Sequence, residues 1–116
     1  MDTEHAIHTR LAMILDDKPN ARILVIGQHM PAVRAAYREI ERAVSHTMLR
    51  QVVCEGGYIR AVTNEGGTLE AYALYSMASG RSVDAVLFVG ELTASAELTI
   101  ESLSAAGAIV FTSLGV

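Results

Sequence analysis

Glu91 is the residue whose sequence context best suits acid–base chemistry. It follows Gly90 and the aliphatic run 86–89, and a short apolar run of this kind predicts a buried strand. A carboxylate at the carboxyl end of such a strand can polarise a water molecule or coordinate a metal ion. Gly90 has no side chain to share that task, so Glu91 is the sole catalytic candidate and no complete catalytic set is predicted.

Two further residues are predicted to reach the same edge of a sheet. His29 follows the aliphatic run Arg22–Gly27, and Thr112 ends the run 108–112. Ligands of α/β sheets bind at the carboxyl ends of the strands, so His29, Glu91 and Thr112 are candidate ligand-binding residues. For His29, an ordinary loop position is the alternative.

Phosphate and metal sites find little support in the sequence. The 116 residues contain no Gly-x-x-x-x-Gly-Lys-Ser/Thr loop, whose N–H groups and Lys hold phosphate oxygens. Gly66 and Gly67 precede Thr68, which we predict to cap a helix, and could offer N–H groups to an anion; a turn and a cap are the simpler interpretation. His5 and His8 have a metal-compatible i, i+3 spacing but no third ligand, which favours a surface pair. We therefore predict no metal and no cofactor.

Arg34, Arg38 and Arg42 form a basic row on the helix predicted at 31–44, opposite its apolar stripe. A spacing of four residues places them on one face, where they could contact phosphates or an acidic partner. The glutamates between them weaken the positive field, and a solvated helix face is the alternative interpretation.

Composition indicates one small domain rather than a free-standing nucleic-acid binder. The chain is 51% hydrophobic and 19% charged, with a net charge of −4, so it can bury a core, and nucleic acid is a possible but not a favoured partner. Its single cysteine excludes an intramolecular disulfide. It has no secretory signal and no apolar run long enough for a membrane helix, so we predict a cytoplasmic protein that does not contact membranes.

Helical and aliphatic segments alternate along the chain. This alternation predicts a three-layer α/β/α fold with a mainly parallel sheet, and two β-rich runs around a Gly-Gly sequence predict a hairpin. The predicted helices are 3–16, 31–44, 68–80 and 93–107; the strands are 22–27, 82–89 and 108–112, and the hairpin is 49–54 with 58–63.

In this order the segments resemble the ATPase domain of phage terminase large subunits and related RecA-like, helicase-like motors. Residues 80–84 resemble the Arg-Gly-x-x-x-Asp stretch that leads into the Walker B strand, and 85–91 resemble that strand. Residues 108–113 resemble the next strand, which ends in a sensing Ser or Thr. The resemblance implies a P-loop NTPase-like core and a phage or prophage setting.

Two departures from that family imply a truncated and non-catalytic core. The phosphate loop and its strand are not found, and Gly90 occupies the position of the Walker B aspartate, so it provides no carboxylate for magnesium. Without bound phosphate and metal, Glu91 and Thr112 would have nothing to act on. We therefore expect no ATPase activity.

The same resemblance implies an open sheet edge. In these motors the phosphate-loop strand lies beside the strand corresponding to 108–112, which in turn lies beside the Walker B strand. Residues 108–112 carry no charge and no proline, and such an edge accepts another strand. We expect Ile109, Val110 and Phe111 to bind a partner, most simply in a homodimer.

Three alternatives stay open at this stage. The helix 3–16 could cover the edge and leave a monomer. The chain could be a small Rossmann-like module that binds a nucleotide or phosphate at the strand ends. It could also be a regulator that docks on a motor, or on its nucleic acid, through the basic row.

Overall fold

The fold is described from a computed structural model, which describes residues 3–44, 48–54, 58–63, 66–73, 83–91 and 93–113. The described helices and strands occur in the predicted order except at residues 68–73, which form a strand in place of the predicted helix. In chain order they are α1 (Thr3–Asp17), β1 (Arg22–Gly27), α2 (Met30–Ala43), β2 (Met48–Cys54), β3 (Tyr58–Thr63), β4 (Thr68–Ala73), β5 (Ala85–Val89), α3 (Ala94–Ala105) and β6 (Ile109–Ser113).

The strands form a single six-stranded sheet in the order β2-β3-β4-β1-β5-β6. The four strands from β4 to β6 in this order are parallel, whereas β2 pairs antiparallel with β3 and β3 antiparallel with β4. The predicted hairpin of β2 with β3 and the predicted pairing of β5 with β6 are therefore confirmed. β6 is the last strand at one end of the sheet.

The central strands β1 and β5 are buried on both faces, which explains their uninterrupted aliphatic sequences. Ile23, Val25 and Leu87 pack on one face together with α1 and α2. Leu24 and Phe88 pack on the other face against α3. Helices thus cover both sides of the sheet, and the three-layer prediction is confirmed.

The helices use the predicted apolar positions, with one exception. The stripe of α2 is fully in the core and consists of Val33, Ala36, Tyr37 and Ile40. In α3, Leu103 is buried and the Thr93 side chain accepts a hydrogen bond from the Ala96 N–H at 3.2 Å. Leu98, an apolar residue of the helix predicted at 93–107, is 67% exposed. α3 buries Ala96 and Leu103, and position 98 lies outside this narrow stripe.

The helix predicted at 68–80 is wrong over its described part, because Thr68–Ala73 is strand β4. Leu69 and Ala71 face the core beneath α1 and α2, while Tyr72 faces the α3 side, which is the two-residue alternation of a strand. Hydrogen-bonded neighbours on both sides, β1 and β3, outweigh the helix propensity of this segment. The remainder, 74–80, lies outside the described residues.

Consequently, Gly66 and Gly67 do not precede a helix. They form a turn in which the Gly67 N–H donates to Thr63 Oγ1 at 3.0 Å and the Gly66 N–H donates to the Thr63 carbonyl at 3.1 Å. The anion site considered for this dipeptide therefore lacks the helix N-terminus that it would need.

Candidate functional site: the open edge of the sheet

Among the described residues, no strand pairs with the backbone groups on the outer edge of β6. The Ile109 N–H donates to the Asp84 carbonyl at 3.0 Å, and the Ser113 carbonyl accepts from the Gly90 N–H at 2.7 Å, so both residues direct these groups toward β5. Successive residues of a strand direct their N–H and C=O groups to opposite sides. Val110 and Thr112 therefore direct theirs outward, where no strand of the described residues pairs with them.

The three predicted partner-binding residues of β6 differ in burial. Ile109 is 52% exposed. Val110 is half-buried against the cluster beneath α3, and Phe111 is half-buried against the cluster beneath α1 and α2. An incoming strand would therefore meet backbone groups that no described strand pairs with, next to apolar side chains that are already packed on the sheet.

Helix α1 lies over the sheet beside this edge. The Arg10 guanidinium carbon is 6.0 Å from the centroid of the Phe111 ring, within the range of a cation–π contact. Immediately after the last residue of α1, Lys18 forms an ion pair with Asp84, the residue before β5. α1 thus runs antiparallel to β5 and β6, over one face of the sheet, and it leaves Ile109 half exposed.

A groove of ≈ 690 Å³ follows the outer face of α1. Both apolar and charged side chains line it, and Met13 on its wall is 55% exposed. The described residues that line it are Ala6, Thr9, Arg10, Met13, Ile14, Asp17 and Lys18. This surface is not among the sequence predictions. The indication in the sequence is that Met13 lies beside the apolar stripe of α1 and not within it.

The predicted ligand-binding residues lie at one edge of the sheet, but the described contacts do not join them to one another. The register aligns Gly27, Val89 and Ser113, so His29 and Glu91 follow strand ends at the same level, and Thr112 lies one residue before it. All three are exposed. Within the described ranges, no hydrogen bond or ion pair joins them.

Gly90 has a backbone conformation that disfavours any other residue. Its φ is +114°, although the space around a Cβ there is open. An aspartate at this position would therefore adopt a strained conformation. Next to it, Thr93 Oγ1 also accepts a hydrogen bond from Gln28 Nε2 at 3.3 Å, which ties the loop after β1 to the start of α3.

The basic row lies on a different surface from the β6 edge. Arg38 and Arg42 are exposed and Arg34 is half-buried, on a helix that packs over β1 and β4. Arg42 Nη1 pairs with Glu39 Oε1 at 2.7 Å, so part of the positive charge of the row is neutralised within the helix.

The described residues include no cluster of three or more metal-binding side chains. His8 is only 9% exposed, so its predicted surface position is wrong; the side chain of His5 lies outside the described part. Of the described helices, none is both long and apolar enough to span a membrane.

The fold is similar to that of a phage terminase. No family model and no curated protein matches the chain. The large terminase from a thermophilic bacteriophage has a similar structure, with a TM-score of 0.59 and 15% identity over 95% of this chain. This chain spans 30% of the length of that terminase. At this identity the likeness shows a terminase-like α/β fold.

Proposed function

We propose that this domain acts by protein association, pairing with a second copy of itself through the open edge of β6, and that it does not hydrolyse nucleotides. The observation that carries the proposal is the outward direction of the Val110 and Thr112 backbone groups on an uncharged, proline-free strand at the end of the sheet. Natural proteins protect such edges with charges, bulges or covering segments.

Proline substitutions test the edge directly. Because the N–H groups of Val110 and Thr112 point away from β5, a proline at either position removes no hydrogen bond from the sheet and blocks only an added strand. Thr112 is exposed, so Thr112→Pro also leaves the core intact. Val110→Pro retains an apolar side chain against the α3 cluster.

The readout is solution mass by light scattering across a dilution series. We expect the unmodified chain to have about twice the monomer mass of 12.4 kDa, and both proline variants to be monomers with an unchanged circular dichroism spectrum. A monomer at every concentration of the unmodified chain would refute the proposal, as would a dimer that survives both substitutions.

The proposal that this domain does not hydrolyse nucleotides rests on the residues that follow β5. Gly90 provides no carboxylate, and neither His29 nor Thr112 is hydrogen-bonded to Glu91 in the described part of the chain. Calorimetry with ATP, ADP and magnesium is expected to show no heat of binding, and a phosphate-release assay no turnover. Measurable heat that disappears in Glu91→Gln would instead support a nucleotide-binding module at this edge.

A further inference from the structure

We propose that the groove along α1 is the second half of the self-association surface, and that the helix it receives is α1 of a second copy of this chain. This inference rests on the proposed function, because it takes the pairing of two β6 edges as given. Beyond that pairing, it assigns a contact between the two α1 helices above the joined sheet and names the side chains that form this contact.

Symmetry brings the two grooves together. Two identical edges that pair antiparallel are related by a two-fold axis normal to the sheet, so both α1 helices lie on the same side of the joined sheet and run antiparallel. Side-chain contacts of Arg10 with Phe111 and of Lys18 with Asp84 reach from α1 to the β5–β6 side of the sheet. Pairing of the two β6 edges would therefore bring the two α1 helices toward each other on this face of the joined sheet.

The exposed apolar side chains lie where this contact needs them. Ile109 has the register of Ala85, on the face of the sheet that α1 covers, and Met13 lies on the groove wall. These are two of the three large hydrophobic side chains that are exposed among the described residues. A two-fold contact would bury both of them in each copy, which is favourable in proportion to the apolar area removed from water.

The charges along the groove complement those of a second copy. In an antiparallel pair of helices whose axis passes between Met13 and Ile14, Arg10 lies opposite Asp17 of the second copy, and the same pair occurs twice. Met13 and Ile14, which also line the groove, lie between these two pairs. Lys18 is already paired with Asp84 within the chain, so Arg10 and Asp17, on either side of an apolar centre, form the self-complementary charge pattern that favours a second copy of this chain as the occupant.

Cysteine cross-linking tests the helix contact. Cys54 is the only cysteine, so Met13→Cys in a Cys54→Ser background introduces a single thiol close to the two-fold axis. On mild oxidation we expect most of the chain to run at twice its mass on a non-reducing gel. Ala35→Cys in the same background is the matched control, because Ala35 is exposed on α2, away from the edge, and we expect this variant to run at the monomer mass on the same gel.

Charge exchange provides an independent measurement. Arg10→Glu is expected to raise the dimer dissociation constant about tenfold, and the double variant Arg10→Glu with Asp17→Arg should restore it. Proline variants that abolish a dimer, together with Met13→Cys that does not cross-link, would overturn this inference and leave the proposed function standing. Cross-linking that persists in Thr112→Pro would overturn the pairing of β6 and with it the two-part surface.

Discussion

Asp84 connects α1 to the starts of β1, β5 and β6, and its replacement should lower stability in a pH-dependent way. Its Oδ2 accepts the Arg22 N–H at 2.7 Å, and its other carboxylate oxygen pairs with Lys18. Its main-chain N–H donates to the Arg22 carbonyl at 2.9 Å, and its carbonyl accepts the Ile109 N–H. The side chain thus closes a junction that the backbone has already formed.

The magnitude follows from the exposure of the two partners. The Lys18 side chain is 60% exposed, so solvent screens the ion pair and it contributes at most about 1 kcal/mol. The hydrogen bond from the Arg22 N–H to a charged acceptor contributes about 1.5–3 kcal/mol. We expect Asp84→Ala to lower the free energy of unfolding by about 2–3 kcal/mol, and Asp84→Asn, which keeps an acceptor, by about 1 kcal/mol.

The pH dependence has a definite sign. Burial raises the pKa of Asp84, but hydrogen bonds from Lys18 and from the Arg22 N–H, with the charges of both residues, outweigh it and hold the pKa below its usual range. Because the folded pKa is the lower one, the stabilisation is fully present above the unfolded pKa of about 3.9. It is lost as the pH falls through the folded value.

Urea unfolding at one protein concentration, from pH 7 to pH 3, measures both effects. The difference between the unmodified chain and Asp84→Asn should shrink below about pH 4. Glu39→Gln is the control, since its pair with Arg42 spans one helix turn with both side chains exposed and is worth at most about 0.5 kcal/mol. An Asp84→Asn variant as stable as the unmodified chain at pH 7, or a difference independent of pH, would refute this reasoning.

Three further substitutions test packing and backbone conformation. In Gly27→Ala the new Cβ would lie 2.5 Å from the Val89 carbonyl oxygen, so we expect a loss of about 2–3 kcal/mol in urea unfolding; a neutral result would contradict this close approach of β1 to β5. At Gly107 a Cβ would meet open space, but φ is +100°, so we expect Gly107→Ala to lower the free energy of unfolding by only about 1 kcal/mol. A larger loss than for Gly27→Ala would contradict this expectation. Tyr72→Phe removes the buried hydrogen bond to Glu70 Oε2 at 2.8 Å and should lower the melting temperature by an amount that corresponds to about 1–3 kcal/mol; an unchanged melting temperature would count against it.

Local sequence patterns determine most of this fold but not β4. Runs such as Arg22–Gly27 and the residues before Gly90 are almost entirely apolar. In an α/β chain, short runs of this kind are typical of buried parallel strands. The sequence of β4, Thr-Leu-Glu-Ala-Tyr-Ala, contains Leu, Glu and Ala, which favour helices. Its conformation depends on β1 and β3, and their positions cannot be read from the segment itself.

The same distinction between local pattern and long-range packing applies to the candidate site. The positions of His29, Glu91 and Thr112 follow from the rule that parallel strands end at one edge, so the sequence suffices to predict their common level. The contact between Arg10 and Phe111 depends on how α1 lies over the sheet, which is a long-range packing result. The groove beside Met13 was therefore beyond the reach of periodicity alone.

The position of β1 in the sheet has a consequence for folding kinetics. β1 pairs with β4 and β5, which both come much later in the chain, whereas the β2–β3 and β3–β4 pairs join strands that are adjacent in sequence. Loop-closure entropy delays the long-range pairs, so we expect the antiparallel part to form first and the parallel part to close around β1 afterwards. During that interval the apolar strand β6 has no partner on either side, which makes the nascent chain most prone to aggregation before β5 and β1 have paired.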